Sequence, residues 1–227
     1  EQSLLLLGND VSSRYTRRTP DEFEKIARYI LKTGQAKQGN YMVFFPSYKM
    51  MQQVYEVFWE LNDDKMECII QQSGMKEAER EEFLGEFCRE RGKTLIAFCV
   101  MGGIFGEGID LKKEQLIGAI IVGTGIPQIS NEREILMNYY DKRSGEGFDY
   151  AYRYPGMNKV LQAAGRVIRT VEDIGVIELL DERFMQSDYR KLFPKEWENR
   201  KSCSIDSVES YLEQFWKSKE MTGNELP

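Results

Sequence analysis

Short apolar runs alternate with stretches of helical periodicity along most of this chain, and that alternation restricts the fold more than any other feature. The runs are Leu4–Leu7, Tyr41–Phe45, Glu67–Gln71, Thr94–Val100, Leu116–Val122 and Gly175–Leu180. Tyr41-Met42-Val43-Phe44-Phe45 has no polar alternation, as expected of a strand covered on both faces. Phe23, Ile26, Ala27, Ile30 and Leu31 repeat at the spacing of one helix face. They follow Thr19-Pro20-Asp21-Glu22, which reads as a capping box with proline at the first helical position. Met51, Val54, Tyr55, Phe58 and Trp59 mark a second helix, and Phe83, Leu84 and Phe87 a third. Strands separated by helices need crossovers, so the expected architecture is one α/β domain over residues 1–227. Its sheet should be mostly parallel, with helices on both faces.

Further helices are expected near Asn131–Asp141, across Met157–Thr170, and at the end, where Ile205, Val208, Leu212 and Phe215 form an apolar stripe. Between Pro127 and Tyr154 the pattern weakens, and an irregular insert is expected at about 127–154. It holds Tyr139, Tyr140, Phe148, Tyr150, Tyr152 and Tyr154, rings that either cover the sheet or stack on bases.

Composition excludes several chemistries. The 227 residues contain no histidine, which removes Ser–His–Asp and Cys–His nucleophiles and any imidazole-bound zinc. A net charge of −6 argues against coating nucleic acid through bulk charge, so any such contact must be local. Cys68, Cys88, Cys99 and Cys203 form no CxxC pair; Cys88 and Cys99 sit in apolar stretches and are expected to be buried free thiols, suited to a reducing cytoplasm. No apolar run approaches the ~20 residues of a membrane span, and Glu1-Gln2-Ser3 has no basic leader, so no membrane partner is expected. The missing initiator Met suggests a piece of a longer chain. No metal site is expected within it.

Ligands of open parallel sheets bind at the carboxyl ends of the strands, and three segments are expected there. In Pro46-Ser47-Tyr48, Ser47 can cap a helix or hydrogen-bond a phosphate. Met101–Asp110 has four glycines in seven positions (102–108), with Glu107 and Asp110 flanking Gly108, but neither GxGxxG nor the Lys-Ser/Thr of a P-loop. In Gln162-Ala163-Ala164-Gly165-Arg166-Val167-Ile168-Arg169, an unbroken helix would bring Gln162, Arg166 and Arg169 within about 60° of one another. Gly165 in a helix interior suggests that something packs closely there. Tyr150–Val171 contains four basic residues and no acidic one, which favours an anion site over a solvated face. Arg14, Arg17 and Arg18 form a smaller cluster, without an acid between Val11 and Pro20, able to follow a nucleic-acid backbone.

Taken in order, these segments resemble the second motor domain of superfamily-two helicases of the DinG/XPD family. Val43–Tyr48 is similar to motif IV, Gly103–Asp110 to motif V, and Gln162–Arg169 to the QxxGRxxR of motif VI. Asp173-Ile174-Gly175, followed by Leu180-Asp181-Glu182-Arg183-Phe184, is similar to the family's closing motif. The resemblance implies a RecA-like, P-loop-NTPase-type domain acting in ATP-dependent DNA unwinding and in DNA repair. It implies that Arg166 and Arg169 reach the γ-phosphate of ATP held by another domain, with Gln162 sensing that region and Gly165 between them. Glu107, Gly108 and Asp110 would couple the nucleotide cleft to DNA, and Ser47 and Tyr48, with Arg14, Arg17 and Arg18, would hold single-stranded or forked DNA. Walker A, the acidic box that serves Mg2+, and any iron–sulfur cysteines belong to the family's first motor domain and have no match here. That domain of the same chain is therefore the expected partner, and this chain alone should turn over no ATP. The residues by themselves leave two other readings open: a stand-alone nucleotide-binding or flavodoxin-like protein, and a non-catalytic interaction domain.

Overall fold

The computed structural model describes residues 2–105, 111, 115–168 and 173–223. Seven strands form one sheet in the order β3-β4-β2-β5-β6-β1-β7: β1 Ser3–Gly8, β2 Asn40–Phe45, β3 Glu67–Ile70, β4 Leu95–Val100, β5 Gly118–Val122, β6 Gly175–Leu180 and β7 Lys201–Cys203. Every ladder is parallel. All six residues of β2 are buried, as its unalternating sequence requires. Successive residues of a strand face opposite sides of the sheet, and two cores result. Met42, Phe44, Ala97, Cys99, Ile121 and Leu179 pack on one side with Phe83, Met157 and Val160. Tyr41, Val43, Phe45, Phe98 and Ile120 pack on the other with Ile26, Ile30, Val54, Phe58 and Leu212.

The helices follow from capping and apolar spacing. Helix α1 spans Pro20–Ala36, with the Thr19 hydroxyl accepting from the Glu22 amide at 3.3 Å. Only half of the expected capping box forms, because the Glu22 carboxylate turns away to the Ser12 amide and to Arg17. Helices α2 Tyr48–Asn62 and α3 Glu77–Gly85 follow β2 and β3. Helices α4 Asn131–Ser144 and α5 Tyr154–Ala164 lie between β5 and β6; the short α6 Ser187–Arg190 and then α7 Val208–Gly223 follow β6.

Four expectations need correction. Strand β7 is absent from the sequence reading; its three residues show no apolar run, and pairing with Leu6, Leu7 and Gly8 alone makes them a strand. The 127–154 insert is largely helical: α4 leads through a turn to a π-helical stretch, Asp149–Arg153, that runs straight into α5. Its rings pair with each other, Tyr140 on Tyr150 at 4.0 Å with planes 7° apart, and α4 buries none of its residues. Helix α5 ends at Ala164 rather than near Thr170, because 3-10-type bonds from Arg166 to Ala163 and from Val167 to Ala164 tighten and close it. Cys99 is buried, but Cys88 is exposed beside Gln115.

Candidate nucleic-acid and nucleotide faces

At the carboxyl end of β2, Ser47 has extended backbone and its hydroxyl accepts from the Met50 amide at 3.3 Å, so it is the N-cap of α2. Tyr48 follows and is 37% exposed. Its hydroxyl oxygen accepts a 2.8 Å hydrogen bond from the side-chain amide of Gln71, which is buried just beyond β3. The carbonyl end of that amide accepts from the Val100 amide at 2.8 Å. Gln71 thus joins the ends of β3 and β4 to the start of α2. Sequence reasoning missed it; the only signal was a polar residue closing an apolar run.

The loop after β4 begins under constraint. Gly102 has φ of +67°, and the Lys159 side chain of α5 lies against it. Phe105 is fully buried and stacks on Phe83 at 4.3 Å. Glu107, Gly108 and Asp110, and likewise Arg169, lie outside the described residues. Burial together with the neighbouring charge of Arg133 lowers the Lys159 pKa.

At the carboxyl ends of β1 and β6, Asp181 is fully buried and organises a cluster. It accepts from the Ser13 amide at 2.8 Å, from the Ser13 hydroxyl at 2.7 Å, and from both Nε and a terminal nitrogen of Arg183 at 2.8 Å. Burial alone would raise this carboxyl, but the Arg183 and Ser13 donors outweigh it and hold the pKa below the ordinary value. Beside it opens a pocket of about 440 Å³ lined by Arg14, Tyr15, Ile126, Phe148, Arg153 and Arg183. Arg153 lies over the Phe148 and Tyr189 rings, 5.3 and 5.4 Å from their centroids.

The arginine cluster is not the unpaired one its local sequence suggests. Arg17 bonds Glu22 and Glu182, each at 3.0 Å, and Arg14 reaches Glu182 at 3.7 Å. These acids come from outside the Val11–Pro20 window. Arg18 donates to the Ser13 carbonyl at 3.2 Å and lies over Tyr15. Arg14 remains 44% exposed at its side chain, on the rim of the pocket.

The third segment is not at the carboxyl ends. Helix α5 starts near Gly125, where Gly156 packs on its backbone, and runs back across the sheet. It finishes at the amino ends, where Val167 fills the space a Cβ on Gly175 would need, next to the Ile117 carbonyl. Gln162 is exposed and Arg166 half-buried in the closing turn. Gly165 is exposed, and among the described residues a Cβ there would meet only the Leu161 and Gln162 carbonyls, so no other described element demands glycine. At the same end of the sheet a cavity of about 800 Å³ opens between Asn40, Arg91, Ile117, Asp173 and Trp216.

Residues 30–200 match the model of the helicase C-terminal domain. Regulator of telomere elongation helicase 1 of Pongo abelii is 29% identical over 207 residues, covering 82% of this chain and 16% of the relative. ATP-dependent DNA helicase XPD of Sulfolobus acidocaldarius is 28% identical over 194 residues, covering 82% of this chain and 32% of the relative. This chain therefore spans between about a sixth and a third of these two relatives' lengths. A solved XPD helicase superposes with a TM-score of 0.72 at 24% identity, over 89% of this chain and 35% of that one. The C-terminal domain of the DEAD-box protein Dbp5 superposes with 0.51 at 14% identity, over 93% of this chain and 97% of that one. The α/β fold is thus of the RecA-like helicase type, and the chain belongs to the helicase C-terminal domain family.

Proposed function

We propose that this chain is the second motor lobe of an ATP-dependent DNA helicase. The observation that carries the reading is the family match over residues 30–200, a span that includes Ser47, Tyr48, Gln162 and Arg166. In this reading a DNA single strand crosses the carboxyl ends of the strands. Ser47, as the N-cap, orients the start of α2, and Tyr48 offers its hydroxyl to the strand. The Arg14 rim adds charge, and the Tyr15 and Phe148 rings add stacking surface. Arg17 and Arg18 shape the loop that presents Arg14. Glu107, Gly108 and Asp110 would relay between the strand and the nucleotide.

Hydrolysis of ATP, held with Mg2+ on the first lobe, supplies the driving chemistry. The residues of this chain fit a contributing role rather than a cradle. It has no P-loop, and among the described residues no group of three or more acids or cysteines is placed to hold a metal ion. Gln162 is exposed near the end of α5 and Arg166 is half-buried in the turn that closes it, the part of the chain that would meet a phosphate brought by another domain. In this reading Arg166 and Arg169 would stabilise charge on the transferring group, an effect worth ~10³–10⁵ in rate, and Gln162 would hold the same phosphate by hydrogen bonds.

The test is Arg166→Ala in the helicase that contains this chain. DNA-stimulated ATP turnover should fall by about three orders of magnitude while oligonucleotide affinity stays within a few-fold. Near-normal turnover in the variant defeats the assignment. ATP turnover by this chain alone, abolished by the same substitution, would defeat the two-lobe reading, as would tight binding of ATP or FMN to the chain in calorimetry.

A further inference from the structure

The donor and acceptor sense of the Tyr48–Gln71 contact is fixed by a third group. A backbone N–H can only donate, so the Val100 amide must face the oxygen of the Gln71 side chain, which it does at 2.8 Å. The Gln71 nitrogen, a donor only, then faces Tyr48 at 2.8 Å. The amide cannot flip without setting nitrogen against nitrogen at Val100. Nor can it swing away, since Gln71 is 2% exposed and its own backbone N–H is bonded to the Phe98 carbonyl at 2.9 Å. A Cβ on Gly103 would stand 3.2 Å from the Gln71 nitrogen, so the loop after β4 closes the remaining side.

The consequence falls on Tyr48. Its oxygen is occupied as an acceptor on the protein side, so its hydrogen must point elsewhere. Among the described residues no acceptor takes that hydrogen, and Tyr48 is 37% exposed. We propose that Gln71 is a positioning residue that sets Tyr48 as an outward hydrogen-bond donor, aimed at a phosphodiester oxygen of a nucleic-acid strand. The ligand class rests on the function proposed above; the donor sense rests on the geometry alone. Because Gln71 also holds the end of β4 and borders Gly103, a shift of that loop changes how firmly the Tyr48 hydroxyl is aimed.

The test uses Gln71→Glu, Tyr48→Phe and their combination at pH 8, reading affinity for an oligothymidylate by fluorescence anisotropy. Gln71→Glu keeps the acceptor for Val100 but replaces the donor by an anionic oxygen, which draws the Tyr48 hydrogen inward. Each single variant should weaken binding by about tenfold. The double variant should bind no more weakly than Tyr48→Phe, and acidification that protonates the introduced carboxyl should restore the Gln71→Glu affinity. Gln71→Met, which removes the donor at similar volume, should cost less and again add nothing to Tyr48→Phe. Losses that multiply in the double variants would overturn the proposal, because they mean that Gln71 acts elsewhere. Carbon-13 NMR titration of the Tyr48 ring gives a second readout without DNA: Gln71→Glu should raise the phenol pKa, and an unchanged titration overturns the positioning role. Failure of the wild-type chain to bind oligothymidylate, with the titration shifted as expected, would sink the nucleic-acid reading and leave the positioning role standing.

Discussion

Arg183 donates to the hydroxyl of Ser13 at 2.8 Å across 170 residues of chain, and both rest on the buried carboxylate of Asp181. The bond ties the exit of β1 to the exit of β6 beneath the pocket that holds Arg14 and Phe148. Asp181→Ala should cost about 3–5 kcal/mol, since it strands the Arg183 guanidinium, only 15% exposed, and two Ser13 donors. Arg183→Lys should recover little, because an ammonium cannot make the two-pronged contact. The folded carboxyl titrates below its ordinary value. Its stabilisation is therefore complete above the unfolded pKa and lost as pH falls through the folded one, which urea melts across an acid series will read.

Glu178 has the opposite pH dependence. It is fully buried in the middle of β6, accepts from the Thr33 hydroxyl at 2.7 Å, and burial pushes its carboxyl up to about 8 against the partial relief from Thr33. The native state then holds a proton that the unfolded chain releases as pH rises past the ordinary carboxyl value of 4.5. This stabilisation is full below 4.5 and lost as pH rises through about 8, with a slope near 1.4 kcal/mol per pH unit inside that window. Glu178→Gln should flatten the slope in denaturant melts between pH 5 and pH 8; an unchanged slope means that another group titrates.

Arg14 and Arg17 should separate in DNA binding. Arg17→Ala leaves the nearly buried Glu22 carboxylate without its guanidinium, and a loss of about 1 kcal/mol in stability is expected with little change in the salt dependence of binding. Arg14→Ala should leave the melting curve in place and reduce the log–log salt slope for oligonucleotide binding by about one. Equal slopes for both variants contradict the placement of Arg14 on the strand.

Gly125 governs how α5 leaves the sheet. Its φ is +66°, and a Cβ there would sit 2.5 Å from the Gly156 carbonyl oxygen. Gly125→Ala should therefore destabilise by about 1–3 kcal/mol. At temperatures where the variant is still folded, its DNA-stimulated turnover should also fall, because α5 carries Gln162 and leads into Arg166. A stable variant with unchanged turnover shows that the helix start tolerates a shift.

The parts of the fold that were legible in the sequence were those encoded by near neighbours. Tyr41–Phe45 could only be a doubly covered strand, and Thr19-Pro20 could only open a helix. Ser47 taken alone reads as a cap, which it is; contact with a nucleic-acid backbone came only from the resemblance. The site was less legible. Gln71 carried no motif, Arg17 had no acid near it in sequence, and the helical spacing of Gln162, Arg166 and Arg169 presumed a helix that closes at Ala164. The 127–154 rings were not placed by sequence either: Tyr139 and Tyr140 ride on α4, which buries none of its residues, Tyr140 stacks on Tyr150, and Phe148 lines the pocket beside Arg14.

By itself, the sequence determined that this chain builds an α/β layer structure, where its strands and most of its helices begin, and which family its ordered motifs resemble. Those depend on burial periodicity and capping, which act over a few residues. Only the tertiary structure decided the strand order, the pairing of β7 with β1, the ion pairs that absorb Arg17, and the opposite ends of the sheet occupied by Tyr48 and Arg166. Each of these depends on a partner supplied from far along the chain, and a charge or a donor has no fixed meaning until its partner is in place.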